Sequence, residues 1–240
     1  MSMSRNSRGT CVFCGREMSG RGMTQHLKSC PERQKAIAEA DQKIKGIRTL
    51  YHLRVSDAWS GYYWLHLEMQ GDATLDDLDH YLRAIWLECC DHLSAFRIGD
   101  VFYFSYPPPG GWGQERDMNV RARRILSPGM EFNYEYDFGT TTELIIKVLD
   151  VRKGGPLSSR PLFLMARNSL EPLPCSQCDQ PATQLCTSCV DKHGFYLLFC
   201  EQHAAEHGRK EAYHFEYMMG IWNSPRTGQC GYEGPAEPPY

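Results

Sequence analysis

The middle of the chain alternates apolar and polar positions in a way that predicts β-strands. Residues 51–55 and 62–69 both follow this two-residue period. In the second stretch one face carries Tyr63, Leu65 and Leu67, and the other carries Trp64 and His66. Gly71 then interrupts the pattern. Two strands are therefore expected near the start of the central region.

A helical pattern follows these strands. Thr74, with Asp77 three residues later, has the sequence of a capping box. Apolar residues then recur at helical spacing: Leu75, Leu78, Leu82, Ile85 and Trp86. Later apolar runs predict two hairpins, at 96–106 and 132–151. A mixed sheet with one main packing helix predicts an α+β domain over residues 47–171.

Four residues near the start of the chain have the spacing of a small zinc finger. The pattern C-x2-C-x11-H-x3-C is formed by Cys11, Cys14, His26 and Cys30. Two thiolates at a tight knuckle can point at one ion, and His and Cys four apart share one face of a helix. Met18 and Met23 offer only a minimal apolar core, so metal would supply the folding energy. Residues 1–31 are predicted to be a ββα-like finger, followed by a solvated linker helix over 32–46.

The finger lies in a basic part of an acidic chain. Residues 1–48 hold ten Lys or Arg against four Asp or Glu, although the net charge of the whole chain is −3. This imbalance favours an anionic partner for the basic arm, and a solvated tail is the simpler alternative. The residues predicted to contact nucleic acid are Arg16, Arg21, Gln25 and Lys28. A single finger makes few base contacts, so a structural or protein-binding role stays open.

Eight Cys and His residues predict a second zinc module over residues 172–240. They are Cys175, Cys178, Cys186, Cys189, Cys200, His203, His207 and His214. A cross-brace would give the first and third pairs to one zinc ion and the second and fourth pairs to another. His193 can replace His214, and a single-zinc ribbon using only the first four cysteines is the alternative. With the finger, the prediction is three structural zinc ions per chain.

The remaining composition bears on compartment and catalysis. No apolar run approaches the ~18 residues that span a membrane, and residues 1–10 lack the apolar segment of a secretory signal. Cysteines in metal-like sets then indicate a reducing, cytoplasmic setting. Cys89 and Cys90 are interpreted as buried structural thiols, and Cys230 receives no role. No catalytic residue is predicted, since the histidines are scattered.

An acidic cluster surrounds the second hairpin turn. It consists of Glu135, Asp137 and Glu143, which could form an acidic site in principle. The simpler interpretation is that Asp137 caps the turn and both glutamates face water.

Four central segments resemble one family. The stretches YHLRV, GDATLDDLDHYLRAIW, HLSAFRIG and NYEYDFG are similar to the plasmid pRi ORF-3-like family, also labelled insertion-element passenger TnpR-type proteins. The resemblance covers roughly Ile47 to Asn168 and continues to the NSPRTGQCGY ending. It implies an α+β domain and supports the cross-brace, but implies no established reaction. This chain departs from the family pattern at 140–144 and at Ser94.

Three functions are weighed on these observations. A zinc-stabilised module that binds nucleic acid through the finger, in a mobile-element or phage-related context, is favoured. A protein–protein adaptor and a hydrolytic enzyme with a site in the central domain are the alternatives. Salt-sensitive binding would favour nucleic acid, because phosphate contacts release counterions.

Overall fold

A computed structural model describes residues 7–44, 46–107, 115–210, 212–236 and 238. The first residues of the predicted basic arm therefore lie outside the described part of the chain. The described residues divide into two compact units. The first comprises residues up to Arg83 together with His92–Ser169, and the second comprises Ala84–Asp91 together with residues from Leu170 onward.

The first unit contains a large sheet and short helices. Its strands are β1 (Arg8–Cys11), β2 (Glu17–Ser19), β3 (Arg48–Asp57), β4 (Trp64–Gln70), β5 (Ser94–Ile98), β6 (Val101–Phe104), β7 (Glu115–Asp117), β8 (Glu131–Tyr136), β9 (Thr142–Gly154) and β10 (Leu162–Asn168). Its helices are α1 (Gly20–Ser29), α2 (Pro31–Lys43), α3 (Leu75–Leu82) and α4 (Ala122–Ile125). A π-helical stretch, Arg83–Leu87, follows α3 in the chain, and only Arg83 of this stretch belongs to the first unit.

The second unit is smaller. Its strands are β11 (Gln184–Cys186), β12 (Leu197–Phe199) and β13 (Met218–Gly220). Its helices are α5 (Cys189–His193), α6 (Glu201–Lys210) and α7 (Ala212–Phe215). The strands form a three-stranded antiparallel sheet in the order β12-β11-β13.

The predicted α+β class is confirmed. Among the described residues, ten strands form one sheet in the order β2-β1-β10-β4-β3-β9-β8-β5-β6-β7. The pairs are antiparallel except β6 with β7, which is parallel, so the sheet is mixed. The predicted capping box is also confirmed, because the Thr74 hydroxyl accepts from the backbone of Asp77 while the Asp77 carboxylate accepts from the backbone of Thr74.

The finger is joined to the central sheet. Strand β1 pairs with β10, and Gly9 lies opposite Asn168. The buried Met23 and Leu27 of α1 pack in one cluster with Trp64 and Met165 of the sheet. Shared burial of this kind adds apolar contacts that an isolated finger lacks. The sheet and the finger therefore share one core.

Strand β4 is buried at every position. Its polar face is covered by α1, where Thr24 Oγ1 lies 3.4 Å from His66 Nε2. Gly20 allows the close approach, since a Cβ there would lie 3.0 Å from Trp64 Nε1. The alternating pattern of this strand therefore separates an apolar face from a buried polar face.

Helix α2 packs against the end of β9 instead of standing in solvent as a linker. The Asp41 carboxylate accepts from the Gly155 backbone N–H at 2.6 Å. A Cβ on Gly155 would lie 2.2 Å from the Ala40 carbonyl oxygen, so only glycine permits this approach. Arg33 is buried on the same helix and donates to the Leu27 carbonyl at 2.8 Å.

Candidate metal centres and a basic surface

The four predicted finger ligands converge. The ligand atoms of Cys11, Cys14, His26 and Cys30 all lie within 4.8 Å of one another. Cys14 Sγ is 3.2 Å from His26 Nε2. Zinc bonds of about 2.3 Å to sulfur and 2.0–2.1 Å to nitrogen place tetrahedral ligands roughly 3.3–3.8 Å apart. The set therefore has the chemistry and spacing to hold a metal ion.

Local structure brings these ligands together. Gly15, at φ 71°, turns the knuckle, and its N–H donates to the Cys11 carbonyl at 2.9 Å. Ser19 caps the start of helix α1, since its hydroxyl accepts from the Gly22 N–H. The helix then presents His26 toward the knuckle. Burial raises the pKa of Cys11 to about 11 in the absence of metal. Burial lowers the pKa of His26, and the charge of Arg16 lowers it further, which favours the neutral imidazole that binds metal.

The first set of the C-terminal module is compact. It contains Cys175, Cys178, Cys200 and His203. His203 Nδ1 lies 3.3 Å from Cys200 Sγ and 3.4 Å from each of the other two sulfurs. Burial would raise the pKa of Cys175, but N–H groups of Cys200 and Gln177 donate toward the sulfur and lower the pKa to about 6. This thiol therefore ionises easily, as a metal ligand must.

The second set takes its ligands from strand β11 and from helices α5, α6 and α7. It contains Cys186, Cys189, His207 and His214. Cys189 Sγ lies 3.4 Å from His207 Nε2 and 3.6 Å from His214 Nδ1. The His207 ring stacks on Phe199 at 4.5 Å between centroids, which fixes its orientation.

The predicted cross-brace pairing and these two sets agree residue by residue. His214, not His193, accompanies His207, and His193 lies near the exposed Phe195 instead. The four cysteines of the alternative single-zinc ribbon fall into two different sets. In the structure the first and third pairs of ligands therefore lie together, and the second and fourth pairs lie together.

Sequence reasoning missed a fourth group. The sulfurs of Cys89, Cys90 and Cys230 lie within 4.8 Å of one another, and His92 follows Cys90 by two residues in the chain. The interpretation of Cys89 and Cys90 as buried thiols is wrong for Cys90, which is exposed, while Cys89 is half-buried. Only the adjacency of the two cysteines signalled this group, because Cys230 is distant in sequence.

The four predicted nucleic-acid residues are all exposed. Arg21, Gln25 and Lys28 lie on α1 at spacings of four and three, so they form one face of the helix, and we name them the α1 stripe. Arg16 precedes the helix and is exposed as well. The opposite face carries the buried Met23 and Leu27. The helix therefore presents a basic and amide-bearing face to solvent.

A basic cavity adjoins the end of this stripe. Its volume is about 510 Å³, and its lining includes Lys28, Arg33, Arg152 and Lys153. Asp150 is the acidic residue among those that line it. The charge of Arg152 is offset by Glu68, whose Oε2 lies 2.8 Å from Arg152 Nη2. The remaining cationic groups make the cavity electropositive.

Two buried histidines lie beneath α1. His52 Nε2 is 2.8 Å from His66 Nδ1. Burial lowers the pKa of His52 to about 3, helped by the charges of Arg33 and Lys28. Burial also lowers the pKa of His66 well below its ordinary value, and the charges of His52 and Arg54 lower this pKa further. Both rings are therefore neutral at pH 7.

The acidic residues near the second hairpin turn have separate structural surroundings, although Glu135 and Glu143 are opposite each other on β8 and β9. Asp137 Oδ1 accepts from the N–H groups of Gly139 and Thr140, which confirms its interpretation as a turn cap. Glu143 accepts from Asn133 Nδ2 at 2.9 Å. Among the described residues, the groups that could hold a metal include neither of these two carboxylates nor Glu135.

Comparison with known proteins places the chain in a family. No curated protein matches it. A solved structure, of a protein of unknown function from Methanosarcina mazei Go1, is similar at 16% identity and a TM-score of 0.40, over 48% of this chain and 66% of that chain. This chain thus spans slightly less than two thirds of the archaeal protein. No helix in the described ranges is both long and apolar enough to cross a membrane. The model of the plasmid pRiA4b ORF-3-like protein family matches residues 51–179, more than half of the sequence, and the chain belongs to that family.

Proposed function

We propose that this protein binds nucleic acid through the α1 stripe and the adjoining basic cavity, and that zinc holds this surface in shape. The observation that carries the proposal is the alignment of Arg21, Gln25 and Lys28 on one exposed helical face that continues into the cavity. Arg and Lys neutralise phosphates, and Gln can hydrogen-bond to a base edge.

The spacing of the stripe suits a polyanion. The helix rises about 10 Å from Arg21 to Lys28, which is roughly three base steps of a nucleic-acid strand at 3.4 Å each. Lys28 belongs to both the stripe and the cavity, so a phosphate held by the exposed Lys153 would continue the same line of contacts. This continuity supports a backbone-tracking surface.

Zinc has a structural role in this proposal. The finger ligands Cys11, Cys14, His26 and Cys30 supply four protein donors, which leaves no open position for water. Metal would fix the β1–β2 knuckle against α1 and so orient the α1 stripe. The two C-terminal sets are proposed to hold two more zinc ions in a cross-brace, as scaffolding for the second unit.

The test is fluorescence anisotropy with labelled single- and double-stranded DNA and RNA. Arg21→Gln combined with Lys28→Gln is expected to weaken binding by about 10-fold or more, since each lost phosphate contact removes electrostatic attraction. The matched control is Arg124→Gln combined with Lys147→Gln, which removes equal charge from exposed sites outside the stripe and the cavity. The control is expected to bind as the wild type does.

Two results would reject the proposal. Zinc-loaded wild-type protein could fail to bind any of the probes, which would leave the protein–protein adaptor as the better account. Equal losses in the stripe and control variants would mean that net charge, and not this surface, governs binding. The mobile-element or phage-related setting stays a prediction.

A further inference from the structure

Three cysteines in the second unit lie together, although Cys230 is far in sequence from the adjacent Cys89 and Cys90. Cys90 Sγ is 3.6 Å from Cys230 Sγ, and the Cys89 sulfur lies within 4.8 Å of both. A disulfide would require about 2.05 Å between sulfurs. Two thiolates on one zinc ion at about 2.3 Å are separated by roughly 3.8 Å. The observed separation therefore fits a shared metal ion and is too long for a disulfide.

The backbone around this cluster is anchored on both sides. The Ser224 hydroxyl donates to the Trp86 carbonyl at 2.5 Å, and the Ala236 N–H donates to the Ala84 carbonyl at 2.8 Å. These bonds join the segment before Cys89 to the segments on either side of Cys230. Ser224 and Trp86 are both buried. The three sulfurs are thus brought together by structure that does not depend on the cysteines themselves.

Cys230 has the backbone geometry of a knuckle. Its φ is 47°, a left-handed conformation that is uncommon outside glycine, and Gly231 follows at φ 66°. The finger shows a similar step, where Cys14 is followed by Gly15 at φ 71°. A strained residue of this kind persists where the surroundings require its side chain in one direction. Here the direction is toward Cys90.

A buried cation faces the cluster. Arg226 is fully buried, and its Nη2 lies 3.6 Å from Cys89 Sγ. The guanidinium therefore places a positive charge directly beside a sulfur atom of the cluster. Three thiolates around a divalent ion carry a net charge of −1, which the charge of Arg226 would neutralise. The electrostatics of the cluster therefore match a loaded site.

We propose that Cys89, Cys90 and Cys230 form a fourth zinc site, in addition to the three sets predicted from sequence spacing. Three thiolates are a soft ligand set, which selects zinc over hard cations such as magnesium or calcium. Because Cys90 and Cys230 are exposed, the zinc ion in this site is expected to dissociate into solution faster than the zinc ions in the other sets. Water fills the fourth coordination position.

The zinc content of the full-length protein tests the proposal. Native mass spectrometry of zinc-loaded wild type is expected to show four ions per chain, one for each Cys/His group. Cys90→Ser and Cys230→Ser are each expected to lose one ion and keep the other three. Gln229→Ala, in the same loop but without a ligand atom, is the matched control and keeps all four. Retention of three ions also reports that each variant is folded.

A second measurement uses only the wild type. Alkylation followed by peptide mapping is expected to modify Cys90 and Cys230 rapidly after mild chelation and slowly after zinc is restored. Equal alkylation with and without zinc would overturn the site, as would a wild-type content of three ions that Cys230→Ser leaves unchanged. A Cys90–Cys230 disulfide in protein purified under reducing conditions, seen as a mass lower by two hydrogens, would overturn it as well.

Discussion

At the scale of single residues, Asp79 organises a buried polar network in the first unit. Its carboxylate accepts from Arg83 Nε at 2.7 Å, from the Ser94 hydroxyl at 2.6 Å and from the Tyr134 hydroxyl at 2.7 Å. All four residues are buried. Burial raises the pKa of Tyr134 well above its ordinary value, and the nearby Asp79 charge adds to this effect. The network links α3 to β5 and β8.

We expect Asp79→Ala to lower the free energy of unfolding by about 3–5 kcal/mol, because it leaves the Arg83 charge buried without its carboxylate. Tyr134→Phe removes one hydrogen bond and should cost only about 1 kcal/mol. Asp76→Ala, on the same helix but half-exposed, is the matched control and should cost less than about 1 kcal/mol. Urea denaturation monitored by circular dichroism measures all three. A loss for Asp79→Ala no larger than that of the control would contradict this role.

Single residues also show which part of the candidate site was predictable. The spacing of ligands such as Cys11 and Cys14 predicts a metal site from the sequence, because both residues come from one knuckle. Cys90 and Cys230 have no shared local spacing, since tertiary folding alone brings them together. The exposure of Cys90 likewise depends on the fold, so the prediction of a buried thiol failed there.

At the scale of elements, strands β3 and β4 create the buried histidine pair. In their antiparallel register His52 lies opposite Glu68, and Arg54 lies opposite His66, so the two histidines are diagonal neighbours on one face. The alternating pattern predicted the two strands and that face. The position of α1 over this face could not be predicted from the sequence, because the pairing of β1 with β10 brings the helix there.

The pair gives the fold a pH dependence. The unfolded chain protonates His52 below about pH 6.5, whereas the folded pKa of His52 is about 3. The unfolded state therefore binds more protons in this window, so stability is complete above about pH 6.5 and falls as the pH is lowered toward 3. Each such histidine contributes a slope of up to about 1.4 kcal/mol per pH unit.

We expect His52→Phe to reduce the loss of unfolding free energy between about pH 6 and pH 5 by about 1 kcal/mol relative to wild type. Protonation of metal ligands contributes to acid lability in both proteins and cancels in the comparison. His80→Gln, which alters an exposed histidine on α3, is the matched control. Identical slopes for His52→Phe and wild type would show that the buried ring is not the titrating group.

At the scale of the whole molecule, local patterns predicted more than long-range ones. Periodicity and short motifs predict the α+β class, the main helix and the family. The family model that matches residues 51–179 confirms the family. The order of the ten strands could not be predicted, because neighbours in the sheet such as β1 and β10 are far apart in the sequence. The polar composition of α2 predicts a solvated helix, whereas Gly155 lets the helix pack closely on the backbone that follows β9.

The proposed function requires that the α1 stripe and the basic cavity bind the phosphates of a nucleic acid. The most direct test is the salt dependence of binding by the zinc-loaded full-length protein. Log K is predicted to fall linearly with log salt, and Lys28→Gln should reduce the steepness by about 1, since it removes one phosphate contact. Arg124→Gln should keep the wild-type slope. A wild-type affinity that does not change with salt, or a Lys28→Gln slope equal to that of wild type, would contradict the claim.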